Sequence, residues 1–251
     1  MKELKTLWSN TRMVVLVAVS AALYVALLIP FKFIQIIPGL AELRPAGAIP
    51  PLVSFLFGPA GAFGSAFGNL IGDFFGTLGP GSLFGLLGNF LYGYLPYKIY
   101  RALAEENYSW KMPAKNWLWL ELAIALSACS CAVVIGFGAD LIGLAPFKVL
   151  ANWISFNNLL FGLILTPLLL LSIFSYIKQA GLFYSELIEV KKPGWSARVG
   201  IILIVIGIAL ALGLGNLSSP LQQALGISGK LLTSVTVGPG VVLILFGACL
   251  L

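Results

Sequence analysis

Long apolar runs, broken by short polar or Pro/Gly-rich segments, dominate the chain from end to end. A helix that crosses the roughly 30 Å hydrocarbon core of a bilayer needs about 20 mostly apolar residues. Eight windows approach that requirement: about 13–30, 45–57, 60–76, 82–100, 117–144, 150–177, 199–215 and 234–251. The second is short and carries Pro50-Pro51 near its start. A charged loop follows the fourth window and a second polar loop follows the sixth. The pattern predicts an all-α polytopic membrane protein.

Composition agrees, since 59% hydrophobic and 10% charged residues, with a mean hydropathy of +1.00, do not describe a soluble domain of 251 residues. The charges also orient the spans. With the N-terminus cytoplasmic, only Lys32, Arg44, Lys148 and Lys230 of the 15 basic residues fall outside, as the positive-inside rule requires, and both termini are then expected in the cytoplasm. Lys2, Lys5 and Arg12 ahead of the first apolar run resemble the start of a signal peptide. That run is read as a span, because its removal leaves an odd number of spans and no reason for the asymmetry. The net charge of +6 has the same origin as the loop bias, so it speaks for anionic lipid headgroups as partners and not for nucleic acid.

Several chemistries are excluded. The chain has no histidine, and Cys129, Cys131 and Cys249 all fall in expected spans, so no metal site, haem site or disulfide framework is expected, and no cofactor. Gly79-Pro80-Gly81-Ser82 lacks the lysine of a phosphate-binding loop, so any ATP drive must come from a partner. Without histidine there is no Ser-His or Cys-His pair, and no nucleophile elbow occurs. Asp73 and Asp140 have no neighbouring carboxylate at ligand spacing, which argues against an intramembrane metalloenzyme.

Polar residues inside the apolar runs are the candidates for function, because an aspartate at the centre of a span costs about 2.5–3.5 kcal/mol on insertion scales. In GSAFGNLIGDFFG, Gly64, Gly68, Gly72 and Gly76 form one i, i+4 ridge, and Ser65, Asn69 and Asp73 form a second beside it. Phe63, Phe67, Leu70 and Phe74 lie opposite. Small residues permit close helix contact, and the polar ridge is expected to face the interior or a cavity. Two readings of Asn69 and Asp73 stay open, a hydrogen bond to a neighbouring helix or a place in a ligand pocket. Ser82, Gly85, Asn89, Tyr92 and Pro96 make a matching stripe on the fourth span. Asn152, Trp153, Asn157 and Asn158 open the sixth, and three asparagines within seven residues exceed what an interfacial anchor needs. A polar pocket with an aromatic wall is expected there. The segment 31–44 is too apolar for a plain linker and is a candidate lid. Its Arg44 either holds a ligand carboxylate or ring carbonyl, or pairs internally with Glu42 or Asp73.

LRPAGAIPPLVSFLFGPAGAFGSAFGNLIGDFFG, then LGPGSLFGLLGNFLYGYLPYKIY, with the alanine spacing of AVSAALYVA, resembles the substrate-binding S components of energy-coupling factor (ECF) vitamin transporters. The resemblance covers about residues 10–180. It implies a six-span core over 1–180; the cytoplasmic loop over 181–198 and the two additional spans over 199–251 follow from the apolar pattern and depart from the family's ordinary six. It also implies that Phe57-Gly58-Pro59-Ala60-Gly61 is the turn joining two spans, and that Ala18, Ala22 and Ala26 dock on a transmembrane coupling subunit served by two ATPase subunits. The Arg44-Pro45 region resembles the branch assigned to queuosine precursors. The implied function is capture of a small water-soluble vitamin or modified-base precursor by Arg44, Asn69, Asp73, Asn89, Trp153, Asn157 and Asn158. A stand-alone carrier needs a through-going polar path, of which the inner halves show little beyond Glu121. A structural subunit leaves the lid and the asparagine cluster unexplained.

Overall fold

The computed structural model describes residues 2–32, 34–37, 41–190, 193–217 and 229–251. Part of the candidate lid, at residues 33 and 38–40, lies outside the described residues, as do Lys191 and Lys192 of the loop counted as cytoplasmic. The described elements are α1 (Lys2–Thr6), α2 (Thr11–Leu28), a two-stranded antiparallel ribbon of β1 (Gln35–Ile37) and β2 (Ala41–Glu42), α3 (Ile49–Phe57), α4 (Pro59–Asp73), α5 (Ser82–Leu103), α6 (Ala114–Leu141), α7 (Phe147–Gln179), α8 (Tyr184–Leu187), α9 (Trp195–Asn216), α10 (Gly229–Thr236) and α11 (Gly238–Leu250). Short 3-10 turns follow α1 at Leu7–Ser9 and α2 at Ile29–Phe31, and a third, Pro45–Ala48, leads from the ribbon into α3.

Among the described residues five stretches are long and apolar enough to cross a membrane: Thr11–Phe31, Ala114–Leu141, Phe147–Leu187, Trp195–Asn216 and Gly229–Leu250. The molecule is therefore an all-α polytopic membrane protein. The count of eight is not reproduced. Pro45–Phe57 is a shorter apolar helix, α4 has 15 residues, and α5 does not meet the criterion. The expected third span also ends early. Helix α4 stops at Asp73, and Gly76 lies beyond it in a turn at φ 126°, so the glycine ridge has three members and not four.

Local chemistry explains the joints. The Asn10 side chain accepts a hydrogen bond from the Met13 N–H and caps α2, satisfying one of the orphan donors of its first turn. Gly58 closes α3 at φ 52°, where the Tyr184 ring would stand 2.6 Å from any Cβ, and Pro59 then starts α4 with a preset φ. Gly61 lies so close to α3 that a Cβ would come within 2.3 Å of the Val53 carbonyl oxygen. The Phe-Gly-Pro turn thus folds two short helices tightly back on each other.

The glycine ridge faces α2. A Cβ on Gly64 would meet Ser20 at 2.3 Å, one on Gly68 would meet Tyr24 at 3.0 Å, and one on Gly72 would meet Leu28 at 2.3 Å. Val17, Ala21, Tyr24 and Leu28 of α2 are buried against it. Ala18, Ala22 and Ala26 lie on the opposite, exposed face of α2. Helix α5 packs between α4 and α6, and α6 packs on α7. At the C-terminal end α9 and α11 form a close pair, with Gly207 against the Gly240 carbonyl and Gly200 against the Gly247 carbonyl, each within 2.6 Å of a Cβ position. Such contacts are the small-residue packing expected where lipid removes the hydrophobic drive between helices.

Candidate functional site

At the end of the bundle where α4 stops and α5 and α7 begin, a cavity of about 110 Å³ opens beneath β2. One water needs about 10–15 Å³ by this measure, so the space admits several waters or a compact ring. All seven residues expected at a ligand site line it: Arg44, Asn69, Asp73, Asn89, Trp153, Asn157 and Asn158. The helical periods explain the convergence. Asn69 and Asp73 are one turn apart on α4, Ser82, Gly85 and Asn89 share a face of α5, and Trp153 and Asn157 share a face of α7. Ile135 and Ala139 of α6, with Leu144, Leu150 and Ile154, supply an apolar wall beside Trp153. One side of the cavity is thus polar and the other flat and greasy, a combination that suits a small polar aromatic ring.

The polar side is a connected network. The Arg44 backbone N–H donates to Asn157 Oδ1 at 3.0 Å, which ties the lid end to α7. The Arg44 guanidinium pairs with Glu42, Nε and Nη2 reaching the same carboxylate oxygen at 3.0 and 2.9 Å, and Nη1 points at Asn69 Oδ1 from 3.5 Å. Of the two internal partners expected for Arg44, Glu42 pairs with it and Asp73 does not. Burial opposes the charge on Arg44, but Glu42, with Tyr24 and Asp73, more than offsets that and holds the group above its ordinary value. Asn69 Nδ2 donates to Asp73 Oδ2 at 3.4 Å, and the Thr77 hydroxyl donates to Asp73 Oδ1 at 3.1 Å. Lys32 in turn donates to Thr77 at 2.9 Å, and burial pushes its ammonium below the ordinary lysine range while Glu42 pulls it back up. Asn69 and Asp73 therefore bond to each other along α4 and both face the cavity.

Asn89 accepts the Tyr24 hydroxyl at 2.9 Å and donates to the Gly85 carbonyl at 2.9 Å. The Asn158 carbonyl accepts the Tyr92 hydroxyl at 3.0 Å, which fixes α7 to α5. Asn152 is a correction. Its side chain is exposed, donates to Asn216 of α9 at 2.6 Å, and does not line the cavity. Tyr24, Glu42, Thr77, Ser82 and Cys131 also line the cavity without having been assigned there. Ser82 belonged to the expected α5 stripe, whereas a lone tyrosine or cysteine in an apolar run carries no periodic signal.

A family model described as QueT transporter matches residues 14–175, the stretch that holds every residue lining the cavity and that stops before α9. The comparisons with curated proteins and with solved structures return no match.

Proposed function

Because the chain belongs to the QueT transporter family, whose members are ECF-type S components and not enzymes, we propose that it captures a queuosine precursor in the outer cavity. A transmembrane coupling subunit and two ATPase subunits then drive release inside. The observation that carries the reading is the convergence of seven polar or aromatic side chains from the lid end, α4, α5 and α7 on one cavity beneath a ribbon. The base lies on the apolar wall beside Trp153. Its polar edges meet Asn69, Asn89, Asn157 and Asn158, and Arg44 holds the lid shut over it.

Helix α2 links capture to docking. Its inner face carries Tyr24 in the cavity, and its outer face carries Ala18, Ala22 and Ala26 without large side chains. Helices α2 to α7, within residues 1–180, form the working core, with both termini in the cytoplasm and the cavity facing out in the cell membrane. The pair α9 and α11 packs chiefly on α6 and α7, with a smaller contact on α5, and leaves the exposed alanine face of α2 uncovered.

Mass spectrometry of small molecules released from the purified protein tests the ligand, and copurification with ATPase subunits tests the module. Release of no modified base, combined with unchanged binding in Trp153→Ala and Asn157→Ala, would refute the assignment.

A further inference from the structure

The two sides of the cavity are held in different ways. On the polar side the lining residues fix one another: Tyr24 bonds to Asn89, the Arg44 N–H to Asn157 and Tyr92 to the Asn158 carbonyl. The facing wall is Ala139, Leu144, Leu150, Trp153 and Ile154, from the end of α6, the turn after it and the first turns of α7. Beside lipid, apolar side chains gain little from meeting one another, so close backbone contacts and hydrogen bonds decide where such a wall stands. The C-terminal helices supply them, and they fall on the residues next to the wall. Asp140, beside Ala139, accepts the Thr233 hydroxyl of α10. Gly143, beside Leu144, turns at φ 75°, and the Lys230 ammonium stands 3.2 Å from its Cβ position, at the C-terminal end of α6 where a cation is favoured. Phe147 opens α7, is 2% exposed and lies so close to Gly215 of α9 that a Cβ there would be 2.2 Å from its ring. Asn152, beside Trp153, exchanges two amide hydrogen bonds with Asn216 of α9, at 2.6 and 3.3 Å.

Resting on the reading of this cavity as the ligand site, we infer that the C-terminal helices are a brace that positions its apolar wall, with Thr233 and Asn216 as the positioning residues. Neither lines the cavity, and each holds the sequence neighbour of a residue that does. Asp140 and Asn152 lie on different helices joined by a short turn, so the two bonds together fix how α6 and α7 splay at that turn. That splay sets the distance from Trp153 to the polar groups on α4 and α5. Both braces lie outside residues 14–175, so the wall of a cavity contained in that stretch is supported from beyond it. A loosened brace widens the gap on the ring side and leaves the hydrogen-bonding side as it was, because Tyr24, Asn89 and Asn157 are fixed within the core.

The experiment has two readouts on the full chain, and the first needs no ligand. Ala139, 2% exposed, is replaced by Cys in a background without the native thiols, and its rate of reaction with a thiol reagent is compared with that of a Ser65→Cys reporter, buried where α4 meets α5. Thr233→Val and Asn216→Ala should each speed labelling at position 139 by about 3- to 10-fold, the factor that one net hydrogen bond is worth, and leave the reporter at 65 unchanged. Thr233→Ser, which keeps the hydroxyl, should restore the slow rate. The second readout is titration calorimetry with a 7-deazaguanine base as the probe. Each brace variant should weaken binding by a similar factor, lose that effect in a Trp153→Ala background and keep it in full beside Asn69→Ala, because the brace acts through the wall. Labelling that rises equally at both reporters, or effects that add to Trp153→Ala as fully as to Asn69→Ala, would make Thr233 and Asn216 general supports of the fold and overturn the inference. So would labelling at 139 that stays slow. If that labelling responds but neither Trp153→Ala nor Asn69→Ala weakens the probe, the brace stands and it is the reading of the cavity as the ligand site that fails.

Discussion

Replacing Arg44 by Gln removes the ion pair with Glu42 inside the candidate lid and the guanidinium contact with Asn69 that helps hold its end on the bundle. Removing one partner of a fully buried pair costs about 3–5 kcal/mol, because the other charge is left without compensation. The Glu42 side chain is 2% exposed, but Arg44 is 22% exposed, so water screens part of the pair and about 1–3 kcal/mol is the appropriate range. The ribbon also has an escape. It can swing out and hydrate Glu42, which caps the loss at what otherwise holds it down, chiefly the Arg44 N–H to Asn157 bond at about 1 kcal/mol. A closed state weakened by about 1–2 kcal/mol is about 5- to 30-fold less populated, and ligand dissociation should accelerate by that factor with little change in association. Stopped-flow displacement of bound ligand by excess competitor reads the rate directly. Glu42→Gln should act alike, and the double variant should recover at least half of the loss, because two neutral amides need no ion pair. If Arg44→Gln is slow to bind or weak while Glu42→Gln is normal, the guanidinium holds the ligand and does not latch the lid.

Ala22→Trp on the exposed face of α2 should abolish uptake while the isolated protein binds ligand with an unchanged Kd, and loss of both would mean that the stripe packs within the molecule. Gly64→Leu, which drives a side chain into Ser20 and the Val17 carbonyl, should destabilise the fold by about 1–3 kcal/mol or more, read as a lower midpoint in a thermal or denaturant scan. Single cysteines at the exposed positions Lys5 and Lys148, in a background without the native thiols, should react with impermeant reagents from opposite sides, and reaction from one side alone would refute the topology.

Polar residues at helical spacing inside apolar runs are what the sequence made legible, because their insertion cost leaves few explanations other than a shared interior face. Asn69 with Asp73, Ser82 with Asn89 and Trp153 with Asn157 each follow from a turn of about 3.6 residues. Strict use of that period also separates Asn152 from Asn157. Five residues turn the helix by about 500°, which leaves the two side chains about 140° apart, and Asn152 accordingly meets Asn216 of α9. Composition alone had grouped them. The end of α4 was hidden for a different reason: Phe74 and Phe75 continue the apolar pattern, and only the positive φ of Gly76 and the turn bonds onto Asp73 break it. What no periodicity could reveal is which helix a glycine ridge meets. The ridge proves to face α2, and that contact sets the relation between the cavity and the outer alanines: Tyr24 and Gly68 touch on the inner face while Ala22 and Ala26 stay exposed on the outer one. A ligand that pulls on Asn89, and through it on the Tyr24 hydroxyl, acts on the same helix that carries the exposed alanines. The C-terminal pair leaves the alanine face uncovered: Gly200, Gly207, Gly240 and Gly247 pack α9 on α11, and its other contacts fall chiefly on α6 and α7, with a smaller one on α5, where the Lys98 ammonium also reaches the Leu251 carbonyl at 2.6 Å. The proposed coupling of capture to docking runs through α2, and a substitution such as Tyr24→Phe, which removes one hydroxyl and little volume, should change the ligand dependence of docking before it changes the fold.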